Sequence, residues 1–300
     1  MSRYLVTGGA GRLGRSVVVV LAEAGHDVVS VDVARAEGLP AEQIVADLVD
    51  ADVAREVIAR VAPDGIVHLA AIPYPGLLSD EETFAINTRL AFTVLEAAVA
   101  AGVGAVLLAS SPTVIGYGAP AGWTPRSLPL DEEHPVAPWN GYAASKAAIE
   151  LLGATVARRD PNGPRIGSFR PCYVIAPEEW GGAPTQQGHT VQERLDDPAL
   201  AAVALFNYVD ARDVGDFVLR WFERAADIPP GTAFFVGAPD SLVRGPVGEA
   251  LAALVPGTAA AADELGPTDP VFSSALAERL LGWRARRTWR SELAEVVGGA

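Results

Sequence analysis

The chain has 300 residues, 50% of them hydrophobic and 20% charged, with a net charge of −14 and a single cysteine. That length suits one large α/β domain, or a nucleotide-binding domain with a small cap, and it allows a substantial core. The acidity speaks against nucleic-acid partners, which are gripped by basic patches, and one cysteine leaves no internal disulfide or metal cluster. No apolar run nears the roughly 20 residues of a membrane span, and no signal-peptide layout is visible. A cytoplasmic protein with neither metal nor membrane partner is expected.

In chain order, residues 4–8 and 27–32 are short β-rich runs separated by a helical stretch from about 12 to 25. A third β-like run (43–47) precedes a helix at 50–61, a buried strand at 65–71 and a long helix at 81–101. A strand at 105–111, a helix at 140–159 and a strand at 165–171 follow. Such alternation implies βαβ units and a doubly wound parallel sheet of Rossmann type, and the uninterrupted apolar strands imply burial on both faces. Regularity falls after Pro171. Residues 207–225 return to a strand–helix pattern, 233–237 form one more strand, and short helices fall near 246–254, 274–281 and 289–297. The reading assigns 1–171, completed by about 206–238, to a nucleotide-binding domain. A small substrate cap is then built from the non-contiguous segments 172–205 and 239–300.

TGGAGRLG (7–14) lies between the first strand and the first helix, with glycines at 8, 11 and 14. Glycine permits a tight turn and a close backbone approach to pyrophosphate, at a helix N-terminus whose free N–H groups attract anions. Asp32 ends the second strand, where a carboxylate accepts from the adenosine ribose hydroxyls and repels a 2′-phosphate. This favours NAD over NADP, while Arg35 nearby keeps NADP open. Asp47 and Leu48 place a carboxylate for the adenine amine. Leu69, Ala70 and Ala71 end a strand where a cofactor would cross the sheet. His68 reads as a structural strand-end histidine.

Of the 23 basic residues 22 are arginine, and the one lysine is Lys146. In an arginine-biased chain, lysine persists where guanidinium cannot replace ammonium. Tyr142 lies four residues earlier, on the same helical face. A phenol with a pKa near about 10 needs help to act as a base at neutral pH, and a neighbouring ammonium with a positive nicotinamide ring favours the phenolate. Ser111 ends the fourth long strand, where its hydroxyl polarises a reacting C–OH or C=O. Tyr142 then acts as general base in oxidation or general acid in reduction.

With these pieces the chain resembles an extended short-chain dehydrogenase/reductase of the NAD-dependent epimerase/dehydratase family. The matching segments are TGGAGRLG, Asp32, ADL (46–48), HLAA (68–71), INTRLAFTVLEAA (86–98), ASSPTVIGYG (109–118), YAASK (142–146), RPCYVIAP (170–177), YVDARDVG (208–215) and LGW (281–283). The resemblance implies a catalytic set of Ser111, Tyr142 and Lys146. It also implies cofactor contacts at Arg12, Leu13, Asp32, Asp47, Leu48, Asn87 and Cys172, and a substrate-facing Thr113. A homodimer through the helices at 81–101 and 140–159 is implied too.

The family's UDP-sugar 4-epimerases clamp a diphosphate, and here the pattern breaks. Tyr173 replaces an asparagine, Phe206 replaces an arginine, and AADELGPTDP (261–270) contains no arginine. Between Cys172 and Asn207 the only basic residue besides His189 is Arg194. A diphosphate needs bidentate arginines or equivalent donors, so a smaller polyhydroxylated substrate fits better. For a sugar acid, Arg194 or Arg126 is the candidate for the carboxylate. The leading expectation is hydride transfer at a secondary alcohol or ketone of a small sugar-like substrate. The alternatives are a sugar or nucleotide-sugar epimerase that retains NAD, and a non-catalytic NAD-sensing regulator.

Overall fold

The computed structural model describes residues 1–160 and 162–298. Its first half runs β1 (Arg3–Thr7), α1 (Arg12–Glu23), β2 (Asp27–Asp32), β3 (Glu42–Val45), α2 (Ala51–Val61), β4 (Gly65–His68), α3 (Asp80–Ala100), β5 (Ala105–Ala109), α4 (Gly141–Arg159) and β6 (Arg165–Pro171). The second half continues β7 (Val174–Ile175), α5 (Pro177–Trp180), α6 (Val191–Asp196), α7 (Ala199–Ala202), β8 (Val209–Asp210), α8 (Ala211–Arg224), β9 (Ala233–Val236), α9 (Val247–Leu254), α10 (Ala259–Ala262), α11 (Ala275–Leu281) and α12 (Trp289–Gly298).

Among the described residues, seven strands form one sheet in the order β3-β2-β1-β4-β5-β6-β9. The ladders joining β3 through β6 are parallel. The chain winds outward from β1 to β3, then returns beside β1 as β4. That reversal creates the switch point where ligands of open parallel sheets bind, beyond the strands' carboxyl ends. The sheet is Rossmann-type, as the alternation of elements implied.

Leu5, Val29, Ile66, Val106, Leu108 and Ile166 line the sheet and pack with Val57, Ile58, Leu90, Val94 and Leu95 of α2 and α3. Each such side chain contributes about 1.5–3 kcal/mol when fully buried. Local signals set the helix starts. Asp50 accepts from the N–H groups of Asp52 and Val53, and Ser79 forms a reciprocal capping box with Glu82. The Asn140 side chain accepts from Ala143 N–H at 2.8 Å.

Two strands are shorter than their apolar runs suggest. β4 stops at His68, opposite Thr7, because β1 turns away at Gly8 and leaves Leu69, Ala70 and Ala71 without a ladder partner on that side. β5 stops at Ala109, and Ser110 and Ser111 lead into a 3-10 turn at Pro112–Ile115. The irregular stretch after Pro171 contains the short elements β7, α5, α6 and α7.

By contacts the chain divides into two compact units. The first comprises Met1–Val114, Ala137–Arg170 and Gly215–Ala233; the second comprises Ile115–Val136, Pro171–Val214 and Phe234–Ala300. The segment Ile115–Val136 groups with the second through Leu130 N–H, which donates to Val271 O at 2.8 Å, and Glu132 Oε1, which accepts from Phe235 N–H at 2.7 Å. Within that unit β7 and β8 pair in parallel. Asp210 accepts from Trp180 Nε1 at 2.7 Å and from Arg212 Nη2 at 2.6 Å. Among the described residues no helix is long and apolar enough to cross a membrane.

Candidate active site

The first unit gathers two sets of residues at the carboxyl ends of its strands. In the glycine loop, Gly8 adopts a φ of +72° and its N–H donates to Val31 O at 2.8 Å. A Cβ on Gly8 would lie 2.7 Å from Ala70 N, and one on Gly14 would lie 2.1 Å from Gly8 O. These two glycines therefore let the loop close against the β4 end and against α1. Gly11 is the N-cap of α1 and forms no side-chain cap, and the first turn holds no acidic residue. Of the three long helices that begin near the sheet's first strands, α1 is the one whose leading N–H groups, those of Arg12 and Leu13 among them, lack a capping side chain.

Asp32 is partly buried at the end of β2, where Oδ2 accepts from Ala10 N–H at 3.0 Å and Oδ1 from Val33 N–H at 2.7 Å. It thereby ties the strand end to the glycine loop. Arg35 is exposed. Asp47 is exposed and accepts from Val49 N–H at 3.0 Å, while Leu48 O accepts from Thr93 Oγ1 at 2.6 Å. Thr7 Oγ1 and His68 Nδ1 are 2.8 Å apart, and Ala70 N–H donates to Thr7 Oγ1 at 3.3 Å. Burial and then the Lys146 charge lower the His68 pKa to about 3, so the ring stays neutral. This agrees with a structural histidine.

Ser111, Tyr142 and Lys146 form the second set. Tyr142 and Lys146 share the inner face of α4, with Nζ 5.8 Å from the phenol ring centroid. Lys146 Nζ donates to Ala109 O at 2.9 Å, at the end of β5. Thr113 Oγ1 donates to Ser111 Oγ at 2.9 Å, which leaves the Ser111 proton for the Tyr142 oxygen, its hydrogen-bonded neighbour. Burial raises the Tyr142 pKa to about 12, against a lowering by Ser111. Burial also lowers Lys146 to about 8. The expectation that the ammonium by itself favours the phenolate is therefore corrected. In the protein alone, desolvation outweighs it and the phenol keeps its proton.

Asn87 is buried and braced on both sides. Oδ1 accepts from Ile72 N–H at 2.7 Å, and Nδ2 donates to Ser145 Oγ at 3.0 Å, whose own hydroxyl donates to Tyr142 O at 2.7 Å. Ser145 was not singled out from the sequence, although it stands inside YAASK. Glu150 was also missed. It accepts from Arg170 Nε and Nη2, each at 2.8 Å, and from Ser110 Oγ at 2.5 Å, which anchors α4 to β6 and to the residue before Ser111.

The second unit holds the other sequence candidates. Cys172 is buried, its thiol pKa pushed up by burial, and its N–H donates to Val236 O at 2.9 Å. Tyr173 stacks on the Arg194 guanidinium, 4.1 Å from ring centroid to Cζ, while Arg126 is exposed. Asn207 and Gln187, which touch Tyr173 and Arg194, carried no signal in the sequence. Among the described residues no group of three or more His, Cys, Asp or Glu could hold a metal ion.

The sheet order, the uncapped glycine turn and the strand-end carboxylate define a doubly wound α/β protein with a dinucleotide-type loop. The chain belongs to the NAD dependent epimerase/dehydratase family, whose pattern matches residues 4–237. It is similar to a UDP-glucose 4-epimerase of Corynebacterium glutamicum, 33% identical over 153 residues, 49% of this chain and 44% of that protein. It is also similar to an L-arabinose 1-dehydrogenase (NAD(P)(+)) of Haloferax volcanii, 32% identical over 185 residues, 60% of this chain and 70% of that protein. The chain spans about half the length of most curated relatives it matches. A solved UDP-galactose 4-epimerase superposes with a TM-score of 0.69 at 27% identity, covering 99% of both chains.

Proposed function

We propose that the protein is an NAD-dependent oxidoreductase acting on a secondary alcohol or ketone of a small sugar-like substrate. The observation that carries this reading is the Tyr142–Lys146 pair on α4, with Ser111 on the phenol oxygen and Ala109 O on the ammonium. All four belong to the same compact unit as the glycine loop.

The residues of that unit fit NAD. The uncapped N-terminus of α1 receives the pyrophosphate, with Gly8, Gly11, Arg12, Leu13 and Gly14 around it. Asp32 takes the adenosine ribose and Asp47–Leu48 the adenine side; Leu69, Ala70 and Ala71 line the crossing, and Asn87 braces that loop. Cys172 is retained as a contact by family resemblance. Bound there, NAD supplies the acceptor or donor of hydride.

Lys146 has three ammonium donors and one accepting partner, Ala109 O, so two donors remain for the nicotinamide ribose. Ser111 holds the reacting oxygen, oriented by Thr113. In oxidation Tyr142 takes the hydroxyl proton as the carbon gives up hydride; in reduction it returns a proton to the carbonyl oxygen. A phenol that keeps its proton in the protein alone is ready for the second direction. The first requires the extra positive charge of the oxidised nicotinamide beside Lys146. Tyr173 and Arg194 contribute substrate recognition.

The names of several relatives support a second reading, an epimerase that retains NAD and returns the hydride to the opposite face. Absorbance at the NADH band during turnover separates the two. Accumulating NADH supports the dehydrogenase, and product without net NADH supports the epimerase. Binding without any turnover would point to a regulator instead.

The expected homodimer draws support from Phe84 and Phe92 on α3, 41% and 53% exposed, and Leu151 on α4, 65% exposed. They are large apolar side chains on neighbouring helices, of the kind that mark protein–protein contacts. Light scattering after size exclusion tests it, with Phe92→Glu and Leu151→Glu expected to give monomers. A cytoplasmic setting is part of the same proposal.

A further inference from the structure

The second unit contains a buried cation that the protein leaves incompletely bonded. Arg194, on α6, has 0% exposure. Its Nη1 donates to Gln187 Oε1 at 2.6 Å and its plane lies on the Tyr173 ring. Nε and Nη2 are shielded from solvent and have no hydrogen-bond partner. Tyr173 OH and Asn207 Nδ2 are in the same condition. The three residues are linked, because Asn207 Oδ1 accepts from Tyr173 N–H at 2.8 Å.

Buried polar groups are almost always paired, and a buried guanidinium without a contacting anion is the costly exception. Burial depresses the Arg194 pKa, opposed by Tyr173 and Glu179. Glu179 is itself engaged as a helix cap, accepting from Ala176 N–H at 3.1 Å. The unpartnered atoms are not scattered around the guanidinium. Nε–H and one Nη2–H point from the same edge of the plane, the geometry that matches two oxygens of one anionic group. The Tyr173 stack and the Gln187 bond fix that plane while leaving the edge open.

One fork balances one negative charge. A diphosphate would need further cationic donors, and the stretch from Cys172 to Asn207 has only Arg194 and His189. We propose that the Nε/Nη2 edge of Arg194 binds the carboxylate of an acidic sugar-like substrate. The Tyr173 hydroxyl and Asn207 amide take neighbouring hydroxyl oxygens. This rests on the reading of the protein as a sugar-directed oxidoreductase and names its substrate class.

The test is calorimetric titration of the full chain, with NAD present, using a panel of hexuronates, their methyl esters, the matching aldohexoses and UDP. The best hexuronate is expected to bind about 10- to 100-fold more tightly than its ester and its neutral sugar, as for a charge-assisted bidentate contact. Arg194→Gln should abolish that difference, and Arg194→Lys should retain part of it, with circular dichroism verifying both folds. The ester comparison needs no variant and decides the matter if the substitutions do not fold. Equal binding of acid, ester and sugar would overturn the proposal, as would Arg194-dependent binding of UDP alone. Acid binding without NADH formation would support the carboxylate site and sink the dehydrogenase reading. NADH formation from neutral sugars without acid binding would do the reverse.

Discussion

The two compact units treat their buried polar groups differently. In the first, Arg170 meets Glu150 with two bonds of 2.8 Å, Asn87 meets Ser145, and Lys146 meets Ala109 O. Its unpartnered atoms are isolated ones, such as His68 Nε2 and Trp221 Nε1. In the second, Asp210 and Asp213 are well paired with Arg212 and Arg287, yet Arg194, Tyr173 and Asn207 form a connected group with open donors. Where a protein completes its own hydrogen bonds, the residues hold the frame. Where a linked group stays incomplete around a charge, a ligand is the natural partner.

The largest expected effect lies in the first unit. Tyr142→Phe removes the proton carrier and should lower kcat about 10²–10⁴-fold while NAD affinity changes little. Stopped-flow or steady-state NADH formation reads this, and a rate near that of the parent enzyme would remove Tyr142 from the chemistry.

The next test compares two arginines directly. Arg170→Met leaves Glu150 as a buried charge without its partner and should cost about 3–5 kcal/mol in urea unfolding. Arg194→Met removes a buried cation that lacks an ionic partner and should cost less than about 1.5 kcal/mol. Equal losses would show that Arg194 is architecture too, and the contrast between the units would collapse.

A smaller effect comes from His68. Its folded pKa of about 3 lies below the ordinary value of 6.5, so the unfolded chain binds the extra proton between those values. Stability contributed by the neutral ring is full above pH 6.5 and falls as the pH drops towards 3. Acidification to pH 5 should cost about 2 kcal/mol from this group. Thermal melts of the parent and of His68→Gln read it, and parallel pH curves would contradict the assignment.

The mildest expectation concerns Lys146, whose ammonium titrates at about 8 in the protein alone. NAD affinity should be full below that pH and weaken several-fold above it, as the neutral amine loses donor strength. Fluorescence titration from pH 7 to 10 tests this, and the slope should vanish in Lys146→Met.

Much of this was legible in the sequence because it is local. The glycine spacing between a strand and a helix, the carboxylate at the end of β2, and a tyrosine four residues before the only lysine each lie within a short stretch of chain. Strand and helix periodicities follow from the same near-neighbour geometry, and strand order follows from the rules for βαβ winding. The shortened ends of β4 and β5 were not legible, since they depend on where the neighbouring strand turns away.

By itself, then, the sequence determined the sheet, the cofactor loop and the identity of the proton-transfer pair. Only the tertiary structure decided the state of that pair, because desolvation depends on what surrounds Tyr142 and Lys146 and not on their spacing. It alone also joined Tyr173, Gln187, Arg194 and Asn207, which are separated along the chain and follow no periodicity. Their significance lies in the bonds the protein leaves unmade, and an unmade bond cannot be counted until every neighbour is in place.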